Sequence, residues 1–115
     1  MRIGELARRT GVSERLLRYY EEQGLLDPAR RSSGYREYTD EHIDVVANIR
    51  SLLAAGLSTS TIAVVLPCLR PDGDHLVPTC PVVVGQLRDE RERIRRAIDD
   101  LRASERALDR VITAT

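Results

Sequence analysis

The chain has 115 residues, of which 42% are apolar, with no Phe and no Trp. That length gives one domain plus an extension, and the core must be modest and built from Leu, Ile, Val and Ala. All 18 basic residues are Arg, balanced by 18 acids, so the net charge is zero. Bulk charge therefore argues weakly against a nucleic-acid partner, although residues 1–38 hold 8 Arg against 6 Asp and Glu. Absent Lys and absent Phe both point to a GC-rich coding genome. The apolar runs are too short for a membrane span or a signal peptide. The expectation is a cytoplasmic, nucleoid-associated protein with no membrane partner.

Taken in chain order, Ile3, Leu6, Ala7 and Thr10 form the i, i+3, i+4, i+7 stripe of a first helix. Gly11 can adopt the left-handed conformation that ends it, and Ser13 is a good cap for the next. On a helical wheel starting at Glu14, Leu16, Leu17 and Tyr20 share one arc, the core face. Arg15, Arg18, Tyr19 and Glu22 share the opposite arc. Two short helices joined by a tight Gly-containing turn predict a helix-turn-helix whose second helix reads DNA. Sorting charge by face matters more here than its sum.

Asp27-Pro28-Ala29 closes the reading-helix region. Arg30-Arg31-Ser32-Ser33-Gly34 is a turn segment, and Tyr35-Arg36-Glu37-Tyr38-Thr39 alternates as a strand does. Residues 26–38 are expected to form a two-stranded wing. The expected DNA-binding residues are Ser13, Arg15, Arg18, Tyr19, Arg31, Tyr35 and Arg36. Arg suits bidentate contact with guanine or phosphate, whereas Tyr20 is expected in the core. Thr39-Asp40-Glu41 begins a third helix with Ile43, Val46, Ala47, Leu53 and Ala54 as its apolar positions and Gly56 as its stop. Ser58 caps a fourth through Ile62, Val65 and Leu66, halted at Pro67.

Residues 67–81 hold four of the five prolines, Gly73, His75 and both cysteines, and are expected to be a loop. From Pro81 to about Ile112 a heptad pattern predicts one long helix. Leu87, Ile94, Leu101 and Leu108 recur every seven residues, with Val84, Arg91, Ile98, Glu105 and Ile112 in the alternate seam position. At about 1.5 Å per residue the seam runs roughly 42 Å, too long to be buried against an eighty-residue domain. It calls for a second copy. Arg91 and Glu105 lie equally far from Ile98, so an antiparallel pair brings each arginine towards the other chain's glutamate, and a parallel pair sets Arg against Arg. The domains expected are 1–70, a winged helix-turn-helix for DNA; 71–80, a Pro/Cys-containing linker loop; and 81–115, a dimerisation helix. The fold class is mainly α, a winged helix-turn-helix followed by a long antiparallel coiled-coil helix.

The strings Ile3-Gly4-Glu5-Leu6-Ala7, Thr10-Gly11-Val12-Ser13, Leu17-Arg18-Tyr19-Tyr20-Glu21, Gly24-Leu25-Leu26 and Gly34-Tyr35-Arg36-Glu37-Tyr38, with the long helix after them, closely resemble the MerR family of bacterial transcription regulators. The resemblance covers the whole chain and implies a homodimer on an inverted-repeat promoter site. It also implies that the dimer distorts this double-stranded DNA and so controls RNA polymerase. The alternative is an effector-independent architectural or recombination factor of excisionase-like type. An enzyme has almost no support, because no phosphate loop or nucleophile motif is present and the two histidines are far apart in sequence.

The chain ends within a few residues of the coiled coil, where larger family members carry an effector domain. Metal-sensing members resemble it in a cysteine near the start of the long helix, where Cys80 sits, but they add cysteines after that helix. No resident cofactor is expected. Three readings of Cys68 and Cys80 stay open: a redox disulfide, a metal site, and buried small hydrophobes anchoring the loop. As the cap before Pro81, Cys80 is expected to have a lowered thiol pKa.

Overall fold

In the computed structural model, which describes residues 1–30, 34–73 and 75–114, the first helix, α1, spans Ile3–Thr10. It stops at Gly11, whose φ of 72° is left-handed and whose N–H donates to Ala7 O at 2.9 Å. The second helix, α2, spans Glu14–Glu22 and begins where the Ser13 hydroxyl oxygen accepts from Leu16 N–H at 3.1 Å. Strands β1 (Ala29–Arg30) and β2 (Arg36–Glu37) pair antiparallel, Ala29 opposite Glu37 and Arg30 opposite Arg36. This is the wing. Its ladder is shorter than the expected span of 26–38, because Leu25, Leu26 and Tyr38 at its roots are drawn into the core.

Helix α3 spans Asp40–Ala54. Its first turn is fastened by His42, a residue the sequence reading passed over. Thr39 N–H donates to His42 Nδ1 at 2.9 Å, so the proton sits on Nε2, which donates to Asp27 O at 3.0 Å. One neutral imidazole thus ties the start of α3 to the segment entering β1. Its ring also packs edge-on against Tyr38, with centroids 5.4 Å apart. Helix α4 (Thr59–Val65) is capped by Ser58, whose hydroxyl oxygen accepts from Thr61 N–H at 3.2 Å. A single 3-10 turn, Leu66–Cys68, follows at Pro67.

Helix α1 packs on α2 and α3, and α3 on α4. Leu6, Leu17, Tyr20, Tyr38, Ile49 and Ile62 are fully buried between them. Two expectations shift. Ile49 is a central core residue, whereas Ala47 and Ala54, read as core positions, are exposed. The buried line of α3 runs through Val46 and Ile49, and a methyl group gains too little from burial to set the helix's rotation. Leu16 is 39% exposed. It lies at the edge of its apolar arc, where a two-helix layer does not reach.

Residues read as a proline-rich loop carry a second hairpin. Strands β3 (Leu69–Asp72) and β4 (His75–Pro78) pair antiparallel, with Leu69 opposite Pro78 and Pro71 opposite Leu76. A two-stranded ribbon has two free edges, so a proline can turn its missing N–H outward without breaking the ladder. Thr79 closes the ribbon, its N–H and hydroxyl donating to Cys68 O at 2.8 and 3.1 Å.

The chain divides into two compact units, Met1–Thr79 and Cys80–Thr115. The second is essentially one helix, α5 (Pro81–Thr113), with Cys80 at its N-cap and Pro81 at its first position. Val83 is buried, and every described residue after Ile94 is exposed. Cys68 and Cys80 are disulfide-bonded to each other. In this state Cys80 has no thiol to ionise, so the expectation of a thiolate at the helix cap does not apply. No helix among the described residues is long and apolar enough to cross a membrane.

Candidate nucleic-acid interface

The first unit brings three arginines to one cleft. Its volume is about 200 Å³, and Arg2, Ile3, Arg18, Gly34, Tyr35 and Arg36 line it. The cleft forms where the start of α1, the exposed face of α2 and strand β2 with its approach meet. Of the residues expected to touch DNA, Arg18, Tyr35 and Arg36 are therefore gathered on one surface. Gly34, at φ 85°, holds a backbone conformation that other residues rarely adopt, and so turns the chain into β2. Ser13, Arg15 and Tyr19 are exposed along α2 and do not line the cleft. Tyr19 is 42% exposed and Tyr35 55%, unusual for rings that lose little by being covered. Arg31 lies outside the described residues.

Two side-chain ties fix β2 and its approach to the helices. The Arg2 guanidinium carbon sits 4.2 Å from the centroid of the Tyr35 ring, a cation–π contact that orients the ring without using the guanidinium's donors. Arg36 Nε donates to Glu21 Oε1 on α2 at 2.9 Å and is equally close to Oε2. The hydrogen bond to Glu21, and then its charge, raise the Arg36 guanidinium further above its already high pKa. Arg36 is thus a fixed cation at any physiological pH. A third tie braces the base of α1, where Arg9 pairs with Glu5 and Asp40 at 3.2 Å each.

Sequence reasoning missed Arg2, Glu21 and His42. Arg2 precedes the first helix, outside the wheel that sorted α2 by face. Glu21 falls beside the apolar arc and reads as a solvated acid. The signal available for Glu21 was its place next to the buried Tyr20, which keeps its carboxylate near the domain surface and within reach of a wing cation.

A cleft of convergent guanidinium groups beside an exposed helix face suits a polyanion with regularly spaced phosphates. Comparison with known proteins agrees. The family described as "MerR HTH family regulatory protein" matches residues 1–68. The chain belongs to the MerR family. Among MerR relatives, the mercuric resistance operon regulatory protein of Bacillus cereus is 32% identical over 108 residues, covering 93% of this chain and 79% of its own. The transcriptional regulator ZntR of Escherichia coli is 31% identical over 111 residues, with shares of 96% and 77%. The crystal structure of the regulator PbrR691 from Ralstonia metallidurans, in complex with lead(II), matches with a TM-score of 0.75 and 31% identity, over 94% of this chain and 81% of that one. The architecture is thus the MerR one, a helix-turn-helix with a small antiparallel wing and a long C-terminal helix.

Proposed function

We propose that this MerR-family chain is a transcriptional regulator that binds an inverted-repeat promoter site as a homodimer and distorts it to control RNA polymerase. The observation that carries the reading is the cleft where Arg18 of α2 meets Tyr35 and Arg36 of the wing. In this reading α2 enters the major groove, with Arg15 at base edges and Arg18, Tyr19 and Ser13 along the groove wall. Arg36 and Tyr35 hold the flanking backbone, and Arg31 is a further DNA contact. Residues 1–79 form the DNA-binding unit, and α5 is the dimerisation helix. The relatives reported above carry names of regulators, which favours this reading over an architectural or recombination factor and over an enzyme.

The test is a footprint on a duplex selected by the protein from a random-sequence pool. Arg18→Ala should weaken binding to every sequence and reduce the slope of log affinity against log salt by about one, as loss of one phosphate contact does. Arg15→Ala should also relax sequence preference, by about 1–3 kcal/mol at the base it reads. A footprint and salt slope unchanged by Arg18→Ala would sink the assignment.

The disulfide favours redox chemistry over metal binding as the effector, because sulfurs bonded to each other are not thiolate ligands. Among the described residues no group of three or more His, Cys, Asp and Glu side chains stands close enough to hold a metal ion. In a reducing cytosol such a bond is transient, which is what a sensor requires. Closing a loop of this length stabilises the oxidised form by about 2–4 kcal/mol, so reduction loosens the β3–β4 ribbon that the cysteines bracket. DNA affinity of the parent should therefore differ several-fold between diamide and dithiothreitol, and Cys80→Ser should abolish the difference. Equal affinity in both conditions for the parent makes the cysteines structural.

A further inference from the structure

We infer that Glu21 is a positioning residue for DNA binding: its carboxylate grips the Nε edge of Arg36 and holds the two terminal nitrogens of that guanidinium ready for a phosphate. The inference rests on the reading of Arg36 as a DNA-contacting residue and assigns the group that makes it competent.

The geometry has three parts. Both carboxylate oxygens lie near Nε, at 2.9 Å, and among the described residues neither Nη1 nor Nη2 has an acceptor. The guanidinium carries five N–H donors in a rigid fork, so fixing Nε fixes the direction of the other four. The Glu21 side chain is only 17% exposed, against 44% for Arg36, so the acid is the sheltered, stationary partner. Strand β2 is two residues long and cannot itself fix a long side chain. The pair spans fifteen positions of sequence, joining α2 to the wing.

The chemistry makes the inference testable, because its sign is opposite to that of simple electrostatics. An acid next to a phosphate-binding cleft repels DNA, so removing it should tighten binding if charge alone matters. If Glu21 positions Arg36, removing it must weaken binding. We would measure affinity for the pool-selected duplex across a range of salt concentrations. Arg36→Ala should weaken it about tenfold, the scale of one charge-assisted hydrogen bond, and reduce the salt slope by about one. Glu21→Ala should reproduce most of that loss and the same fall in slope. The double variant should be no weaker than Arg36→Ala alone, since the two residues act through one contact. Glu21→Gln keeps an oxygen acceptor without the charge and should lose less; it carries the test if Glu21→Ala does not fold. Unfolding curves without DNA separate positioning from stability, because a merely structural residue would leave the salt slope of the folded fraction intact. Binding as tight as the parent's, or tighter, in Glu21→Gln or Glu21→Ala overturns the inference, as does a double variant whose loss is the product of the two singles. Parent-like binding by Arg36→Ala would instead overturn the reading of Arg36 on which it stands.

Discussion

Ile98→Glu is expected to convert the protein to monomers. Leu101, Leu108 and Ile112 are 70%, 63% and 64% exposed on a single copy of α5, and Ile98 is 41% exposed. These are residues of one heptad seam, which water does not reward exposing. In an antiparallel pair with Arg91 facing Glu105, the two-fold axis passes at Ile98, so the substitution places two carboxylates against each other at the seam's centre. Each buried, unpaired charge costs several kcal/mol, so dimer dissociation should rise by about a thousandfold or more. Leu101→Glu should act in the same direction. Arg96→Glu, on the opposite side of the helix, should leave the dimer intact. Sedimentation velocity reads the result, and an intact dimer in both seam variants would remove the seam from the account. A monomer should still fold its first unit, yet bind an inverted repeat far more weakly, because one half-site contact no longer recruits the other.

The adjacent tyrosines of α2 should fail in opposite ways. Tyr20 is 2% exposed, so Tyr20→Ala leaves a large cavity between the helices and should cost about 3–5 kcal/mol, most of a small domain's stability. The loss appears as a fall in Tm of roughly 15 °C or more. Tyr19→Ala, at an exposed position, should change stability by less than about 0.5 kcal/mol and still weaken DNA binding. Burial raises the Tyr20 phenol above its ordinary 10.0, against a smaller opposing pull from Arg50. The folded state therefore prefers the neutral phenol. Its contribution is fully present below pH 10 and is lost as pH climbs through the higher folded value. Tyr20→Phe should flatten that alkaline loss. Equal thermal stability of Tyr19→Ala and Tyr20→Ala would refute the assignment of the two faces.

Much of the first unit was legible because local signals agreed with one another. Gly11, Ser13 and the sorted faces of residues 14–22 each specify the same helix-turn-helix, and the structure places all three as expected. Helix α5 was legible for a different reason. Its seven-residue period is long, and Pro81 marks its start. Where short-range signals were ambiguous, tertiary packing decided. The pattern in α3 counted Ala47 and Ala54 and left out Ile49, yet it is Ile49 that is buried and the two alanines that are exposed. Prolines in 67–81 masked a ribbon, since a ribbon tolerates them at its edges. The candidate site was half legible. Arg18, Tyr35 and Arg36 announce themselves as exposed cations and rings on predicted elements. Arg2 and Glu21 act through partners distant in sequence, and His42 joins a local cap at Thr39 to a distant carbonyl at Asp27, so the sequence around each shows only part of its role.

The two-residue strands of the wing have a kinetic consequence. A ladder of two residue pairs contributes few backbone hydrogen bonds, so the wing is held in place largely by side chains that tie its margins to the rest of the unit, in Arg2 with Tyr35, Arg36 with Glu21, and His42 with Asp27. Amides of Ala29, Arg36 and Glu37 should therefore exchange with deuterium through local opening, long before those of α1 and α3, which wait for global unfolding. Bound DNA should slow the wing amides selectively, and the protection gained there would measure how much of the binding free energy is spent on ordering the wing.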